Sequence, residues 1–202
     1  VENAKDGEVF TTLDGTERTL TDDMLLIKDA ERGIAIAGVM GGLNSEIEED
    51  TKTIIVESAN FAGSSVRTTS KKLGLRTEAS ARFEKGIDPN LCEAAADRVC
   101  RLIELTGAGK VCKGSVDNYP VPEEAKTIDI RVDRINSVLG IELERQEMVD
   151  ILESLEIKVA GSGNIMTVTP PTIRQDLLEE EDYIEEVARI YGYDKMPVTL
   201  PK

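Results

Sequence analysis

Two groups of polar residues in this 202-residue chain could do chemistry. In the first, Glu57 follows the apolar run at 54–56, and a polar string occupies 76–84. A carboxylate at the end of a buried strand is costly unless it is paired or hydrogen-bonded, so Glu57 should have a specific partner or face a cleft. The structural alternative, which spacing alone favours, is a salt bridge with a nearby arginine, Arg67, Arg76 or Arg82.

The second group is acidic and lies near the end of the chain. Asp182, Glu185 and Glu186 are spaced i, i+3 and i+4, which places their carboxylates on one face of a helix. Asp176, just before that helix, can fold back toward them. Clustered carboxylate oxygens suit a hard cation such as Mg²⁺. The structural alternative is N-capping by Asp176, together with acids that the helix dipole favours at a helix start.

The composition excludes several classes of protein. A net charge of −15 argues against a free-standing nucleic-acid binder, because a basic face is the footprint of phosphate binding, so any contact with RNA must be local. The three cysteines are accompanied by no CxxC pair and no histidine, which argues against a disulfide framework or a zinc site. No apolar run approaches the roughly 20 residues that cross a bilayer, so we expect a soluble, cytoplasmic chain.

The elements that position these residues are predicted to form two domains. The segment at 118–124 contains two prolines and breaks all periodicity, so the boundary is placed there. We predict an α/β (α+β) domain with several strands and packed helices over residues 1–118. A small α+β, winged-helix-like domain is predicted over residues 119–202.

In the first domain, the turn dipeptide Asp14-Gly15 predicts a hairpin. Short apolar runs predict further buried strands at 24–27, 34–39 and 54–56. Helices are predicted at 64–73 and 89–106, each stopped by a glycine, and the second is capped by Asp88. Five apolar residues on one face of the second helix are predicted to be core, namely Leu91, Ala95, Val99, Leu102 and Ile103.

In the second domain, the predicted order is strand, two helices, two strands and a last helix, at 127–131, 132–139, 144–155, 157–160, 165–169 and 178–191. Two helices followed by a hairpin resemble a winged helix. A nucleic-acid-binding or protein-binding module is therefore an alternative. Four acids make the second helix a poor reader of DNA, namely Glu144, Glu147, Asp150 and Glu153.

Three blocks of sequence resemble one family when taken in order. They are Gly-Val-Met-Gly-Gly at 38–42, Glu-Ser-Ala-Asn-Phe at 57–61, and Arg-Thr-Glu-Ala-Ser-Ala-Arg-Phe-Glu-Lys-Gly-Ile-Asp-Pro at 76–89. They are similar to the editing (B3/B4) domain of bacterial phenylalanyl-tRNA synthetase β subunits. In that family the domain hydrolyses tyrosine mistakenly attached to the phenylalanine tRNA. The resemblance implies an internal fragment that covers most of the editing domain and the following B5 domain.

The resemblance also implies roles for four residues. Glu57 would accept a hydrogen bond from the tyrosine phenol, Thr77 and Ala79 would form the pocket wall, and Gly41 would lie at its narrow entrance. Hydrolysis would then depend on positioning the ester and a water molecule, so no catalytic residue is assigned. A histidine of the family's pocket lies upstream of the first residue here, and this chain has no histidine, so the pocket is expected to be incomplete.

The string at 176–193 resembles the end of the B5 domain. That resemblance implies that the four acids hold a Mg²⁺ ion shared with the α subunit, and that the site is weak or empty without that subunit. The parent is expected to be a cytoplasmic heterotetramer of two α and two β subunits, with ATP bound by the α subunit and not here. Expected partners are the α subunit and the phenylalanine tRNA, with no DNA and no membrane. The alternative is a non-catalytic scaffold.

Overall fold

The computed structural model describes residues 1–197, which form two compact units divided between Asn118 and Tyr119. Strands β1 to β6 and helices α1 to α3 belong to the first unit, and strands β7 to β9 and helices α4 to α6 belong to the second. The architecture is mixed α and β, as predicted. Among the described helices, none has the length and apolar character needed to cross a membrane.

The first unit contains six short strands. In chain order, β1 to β6 are Glu2–Asn3, Val9–Thr11, Glu17–Thr19, Leu25–Lys28, Gly33–Ile36 and Met40–Gly41. Strands β1, β4, β5 and β6 form an antiparallel sheet in that order, and β2 pairs with β3 in a separate hairpin. Gly15 occupies the hairpin turn with φ of 75°. The hairpin and the strand predicted at 24–27 are confirmed, with small changes at the strand ends. The strand predicted at 34–39 is confirmed only to Ile36, because residues 37–39 form the turn into β6.

The prediction of a strand at 54–56 is wrong. These residues form no regular structure, and the side chains of Ile54 and Ile55 are 50% and 95% exposed. A short apolar run becomes a strand only where a neighbouring strand pairs with it and a packed surface covers it. Within residues 1–197 this run has no pairing strand. Glu57 therefore lies in an irregular segment and not at the end of a strand.

The helices of the first unit are α1 (Gly63–Lys72), α2 (Glu78–Phe83) and α3 (Cys92–Leu105), with a 3₁₀ turn at Pro89–Leu91 leading into α3. Helices α1 and α3 confirm the two predicted helices. The Asp88 side chain accepts a hydrogen bond from the Asn90 N–H at 2.9 Å and caps the 3₁₀ turn. Helix α2 was not predicted, because six residues are too few to show a helical period.

The prediction that one face of α3 is core is wrong. No α3 residue is buried against the described part of the chain, and Val99 and Leu102 are 42% and 43% exposed. Apolar periodicity shows which face of a helix prefers burial, but it does not show that a partner is present. The core of the first unit comes instead from the sheet region, α1 and the segments beside them, chiefly Leu20, Met24, Leu26, Ile36, Val39, Phe61, Val66 and Leu75.

The second unit follows the predicted order of elements. Its strands are β7 (Ile128–Arg131), β8 (Lys158–Ala160) and β9 (Ile165–Thr169), and its helices are α4 (Val132–Leu139), α5 (Arg145–Ser154) and α6 (Glu180–Tyr191). The sheet is antiparallel in the order β7-β9-β8. Fully buried side chains from all three helices and from the sheet form one core, including Ile130, Ile135, Met148, Leu152, Met166, Val168, Tyr183 and Val187. Each such aliphatic side chain contributes roughly 1.5–3 kcal/mol on burial.

Candidate functional site

The three sequence blocks meet around Gly38. This glycine has φ of 68°, and a Cβ built on it would lie 2.9 Å from Val66 Cγ2, 3.1 Å from Phe61 Cδ2 and 3.3 Å from Phe83 Cδ2. Phe61 and Phe83 belong to the second and third blocks, and their ring centroids are 5.2 Å apart in a tilted arrangement. Only glycine combines this backbone conformation with so close an approach of two rings. The first block therefore packs directly on the other two.

Thr77 ties the third block to the first by hydrogen bonds. Its Oγ1 donates to the Val39 carbonyl at 2.7 Å and accepts from the Ser80 N–H at 3.1 Å, and the Ser80 Oγ accepts from the Thr77 N–H at 2.9 Å. The reciprocal Thr77 and Ser80 bonds form a capping box that begins α2. The Thr-x-x-Ser spacing was the signal that could have predicted this helix. Thr77 thus fixes the start of α2 against the segment that leads into β6.

Ala79 and Gly41 lie on the two elements that Thr77 connects. Ala79 is half-buried in the first turn of α2. Gly41 pairs with Ala35 in the sheet, and its carbonyl accepts a hydrogen bond from the Leu13 N–H at 3.0 Å. A Cβ on Gly41 would lie 3.0 Å from Leu13 Cδ1, so a side chain there would displace the leucine. Thr77 is thus hydrogen-bonded to the block that contains Gly41, and Ala79 follows two residues later on α2; these residues are called the wall.

Glu57 has no partner in the described part of the chain. The predicted salt bridge is absent, since Arg76 pairs with Glu84 at 3.7 Å and Arg82 pairs with Glu78 at 3.6 Å. The side chain is exposed, yet surrounding protein desolvates the carboxylate and raises the pKa of Glu57 above its ordinary 4.5. No hydrogen bond joins it to Thr77 or Ala79 within residues 1–197. Glu57 is thus an accessible carboxylate with no protein donor in this range, and a donor from a ligand could engage it.

Two of the four acids near the end of the chain are held by one arginine. Arg174 Nη2 lies 2.6 Å from Asp176 Oδ2 and 3.0 Å from Glu186 Oε1. Glu186 is buried and also accepts a hydrogen bond from Arg189. Desolvation opposes ionisation of Glu186, but the hydrogen bonds from Arg174 and Arg189 outweigh it and lower its pKa. This pairing was not predicted from the sequence, although Arg174 stands two residues before Asp176.

The other two acids do not join that cluster. Asp182 Oδ2 accepts hydrogen bonds from the N–H groups of Leu178 and Glu179 at 2.9 and 2.8 Å, and Glu185 is exposed on α6. The N-cap of α6 is Glu179, so the alternative in which Asp176 caps this helix is wrong. In residues 1–197, no three acidic, cysteine or histidine side chains are close enough to hold a metal ion. In this arrangement the four acids do not fit a Mg²⁺ site.

Comparison with known families identifies both units. Residues 1–107 match the family model described as the B3/4 domain. The chain belongs to the B3/4 domain family. Residues 128–193 match the model described as the tRNA synthetase B5 domain. The wall around Gly38 and Thr77 therefore lies within the B3/4 domain, and the Arg174 cluster lies within the B5 domain.

The whole chain, across both domains, is similar to the beta subunits of bacterial phenylalanine–tRNA ligases. The chain is 48% identical over 200 residues to the phenylalanine–tRNA ligase beta subunit of Clostridium tetani, 50% over 202 to that of Clostridium acetobutylicum, and 46% over 202 to that of Bacillus subtilis. These matches cover 99% to 100% of this chain but only 25% to 26% of each relative. The chain thus spans about a quarter of the length of these relatives.

One solved structure is also similar. It is an N-terminal fragment of the phenylalanyl-tRNA synthetase beta subunit from Pyrococcus horikoshii, and the match covers 95% of this chain and 55% of that fragment. The sequence identity is 18% and the TM-score is 0.47.

The Arg174 cluster should stabilise the B5 domain. Replacing Arg174 with Gln leaves Glu186 buried with one cation fewer, and we expect the free energy of unfolding to fall by roughly 2–3 kcal/mol. Arg134→Gln is the matched control, because the Arg134–Glu181 pair at 3.4 Å is exposed on both sides and contributes at most about 1 kcal/mol. The measurement is urea unfolding followed by tyrosine fluorescence, since all four tyrosines lie beyond residue 118. Equal effects of the two substitutions would contradict this role.

The same cluster predicts a pH dependence of stability. The pKa values of Asp176 and Glu186 are lowered in the folded chain, mainly by Arg174 in the case of Asp176. A lowered carboxyl pKa stabilises the fold above the unfolded value and loses that contribution as the pH falls through the folded value. The stability difference between the unmodified chain and Arg174→Gln should therefore be full near neutral pH and shrink below about pH 4.5. If this stability difference stays constant down to the pH of acid unfolding, the Arg174 cluster is not its source.

Proposed function

We propose that this chain is the editing and B5 portion of a phenylalanine–tRNA ligase β subunit, and that its B3/4 domain hydrolyses tyrosine wrongly attached to the phenylalanine tRNA. The meeting of the three sequence blocks carries this proposal. Packing around Gly38 and the bond from Thr77 to Val39 bring together segments that are far apart in the chain. They form a wall beside which a ligand could be held.

The unpaired carboxylate of Glu57 supports tyrosine as the amino acid recognised. Tyrosine and phenylalanine differ by one hydroxyl, and an apolar pocket rejects an added hydroxyl only weakly. A site that must hydrogen-bond the hydroxyl discriminates much better, because the substrate without it leaves the polar group unsatisfied. Glu57 makes no hydrogen bond with residues 1–197 and is partly desolvated, so the phenol would supply its missing donor. Ala79 would leave space for the ring.

Hydrolysis of the ester would depend on position and not on an activated nucleophile. Burial raises the pKa of Cys92, so its thiol stays protonated and is a poor nucleophile. Holding the ester and a water molecule in reacting geometry can by itself supply several kcal/mol of rate enhancement. The proposed role of Glu57, Thr77, Ala79 and Gly41 is to bind and orient the substrate.

The remaining expectations concern the parent complex. We propose that it is cytoplasmic, that it contains α subunits docked in part by the B5 domain, and that ATP is bound by the α subunit. Mg²⁺ is not assigned to the four acids in their present arrangement, since Arg174 forms ion pairs with both Asp176 and Glu186. A metal site there would require Arg174 to release them and further ligands from the partner. Titration of Mg²⁺ into the chain alone should accordingly give no saturable site.

The test of the editing proposal is discharge of tyrosine from Tyr-tRNA, with Phe-tRNA as the comparison substrate. The complete synthetase should release tyrosine faster than phenylalanine. Ala79→Trp, which puts a large ring into the space proposed for the tyrosine ring, should slow the release of tyrosine by about tenfold or more. Ala95→Trp, on the exposed face of α3, is the matched control. Normal discharge by Ala79→Trp would place the editing site elsewhere in the synthetase.

A further inference from the structure

A cleft of about 490 Å³ in the first unit is lined mainly by cations. Its lining residues, which define the basic cleft, are Arg67, Ser70, Lys71, Gly74, Arg76, Glu84 and Lys85. The surrounding segment, residues 63–85, has six basic and two acidic residues, a net charge of +4. The whole chain has a net charge of −15. This segment is therefore basic although the chain as a whole is acidic.

Most of these cations are not neutralised by the protein. Arg76 pairs with Glu84 at 3.7 Å, but its side chain is 78% exposed, so the pair is weak. Arg67, Lys71 and Lys85 form no ion pair with any described residue. By contrast, Lys72, which does not line the cleft, pairs with Asp23 at 2.8 Å. The helix dipole favours a cation at Lys71, in the last turn of α1. It does not explain the other three cations of the cleft, which are Arg67, Arg76 and Lys85.

The chemistry of the basic cleft fits phosphate groups. Guanidinium groups bind phosphate oxygens through two parallel hydrogen bonds, and lysines add point charges. The lining includes no aromatic side chain on which a base could stack. Such a site holds a sugar–phosphate backbone and does not read the sequence of bases. Local positive charge of this kind is what an acidic protein needs in order to contact RNA.

The basic cleft is attached to the same helix as the proposed editing wall. Ser70, which lines the cleft, donates through its Oγ to the Leu75 carbonyl at 2.7 Å, and this Oγ lies 3.4 Å from the Ser80 Oγ of α2. Arg76 immediately precedes Thr77, whose side chain caps α2. A phosphate bound by Arg76 would therefore lie close to α2, the helix that carries Ala79 and that Thr77 caps. We propose that the basic cleft binds the RNA backbone next to the esterified end of the tRNA, an inference that rests on the proposed function.

Binding of a short unstructured RNA without an attached amino acid tests this inference. Fluorescence anisotropy of the labelled RNA should give binding by the chain that weakens as salt rises. In Arg67→Gln/Lys71→Gln, binding should weaken and the slope of log K against log salt should become shallower by about 1.4, or about 0.7 for each phosphate of a single strand that the protein no longer neutralises. Both residues are exposed on α1, so the fold should tolerate the change. Oligo-A and oligo-U should bind alike.

The matched control is Lys52→Gln/Lys110→Gln, which removes the same charge from exposed positions outside the basic cleft. It should leave the slope unchanged. If this control loses as much RNA binding as Arg67→Gln/Lys71→Gln, the cleft variant, then only the general charge of the chain matters. That result would overturn the assignment. Absence of RNA binding by the unmodified chain at low salt would overturn it as well.

The proposed function can fail separately. In the complete synthetase, the cleft variant should raise KM for Tyr-tRNA discharge several-fold and leave kcat nearly unchanged, whereas Ala79→Trp should impair discharge itself. Normal RNA binding together with absent discharge would reject editing and retain the basic cleft. Normal discharge with an unchanged KM in the cleft variant would reject the cleft and retain editing.

Discussion

Glu57→Ala should slow discharge of Tyr-tRNA by about 10- to 100-fold, because a hydrogen bond to a charged group contributes about 1.5–3 kcal/mol. The carboxylate has no partner within residues 1–197 that could take over its role in binding the phenol. Discharge is measured in the complete synthetase, where the rate of aminoacylation with phenylalanine shows that the enzyme is intact. Glu78→Ala is the matched control, since its side chain is 92% exposed and forms only a loose pair with Arg82.

The raised pKa of Glu57 gives this prediction a second readout. Because desolvation favours the protonated carboxyl, Glu57 gains its proton at a pH above the ordinary 4.5, and the accepting oxygen becomes weaker as the pH falls. The rate of discharge by the unmodified enzyme should therefore fall as the pH is lowered through the pKa of Glu57. The Glu57→Gln variant should not show this fall. Unchanged discharge by Glu57→Ala would support the non-catalytic scaffold and remove Glu57 from the site.

Gly38→Ala should lower the stability of the first unit by roughly 2–4 kcal/mol. The new Cβ would lie within 3.1 Å of Val66 and Phe61 on a backbone with φ of 68°. Gly15→Ala separates the two causes, because Gly15 has φ of 75° but open space around it, and should cost only about 1 kcal/mol. Urea unfolding followed by far-ultraviolet circular dichroism measures both variants.

Tyrosine fluorescence supplies the internal control for that experiment. The first unit contains no tyrosine, so the fluorescence transition reports the second unit and should not move in either glycine variant. An equal loss of stability for Gly38→Ala and Gly15→Ala would mean that backbone strain alone matters. In that case the packing of Phe61 and Phe83 on Gly38 would not be what holds the three blocks together.

The second unit could be predicted closely because local sequence signals, mainly glycines, mark where its helices and strands end. Helix α4 ends where Gly140 adopts φ of 67°, and the hairpin of β8 and β9 is joined by two glycines with positive φ. These signals are local, so they do not depend on what packs against them. The run at 54–56 and the apolar face of α3 show the opposite case. There the sequence indicates a preference for burial, and only the tertiary structure decides whether a partner is present.

The candidate site was harder to predict for the same reason. Spacing suggested that Glu57 would pair with an arginine, but it could not show that Arg76 and Arg82 already face other acids. Arg174 and Glu186 are twelve positions apart in the chain, and they come into contact only when α6 packs in the fold. The three blocks could be recognised in order along the chain, but the role of Gly38 as their meeting point depends on the packing of the folded chain.

The position of Gly38 beneath two phenylalanine rings has a kinetic consequence. Its contacts join residues well separated in sequence, and such contacts form only after the chain has closed the intervening loops. The hairpin of β2 and β3 and the helices α1 and α3 involve mostly near neighbours and can form earlier. During refolding, the helical signal should recover before the ability to bind a ligand at the wall. A preparation with normal secondary structure could thus still be inactive until this last step is complete.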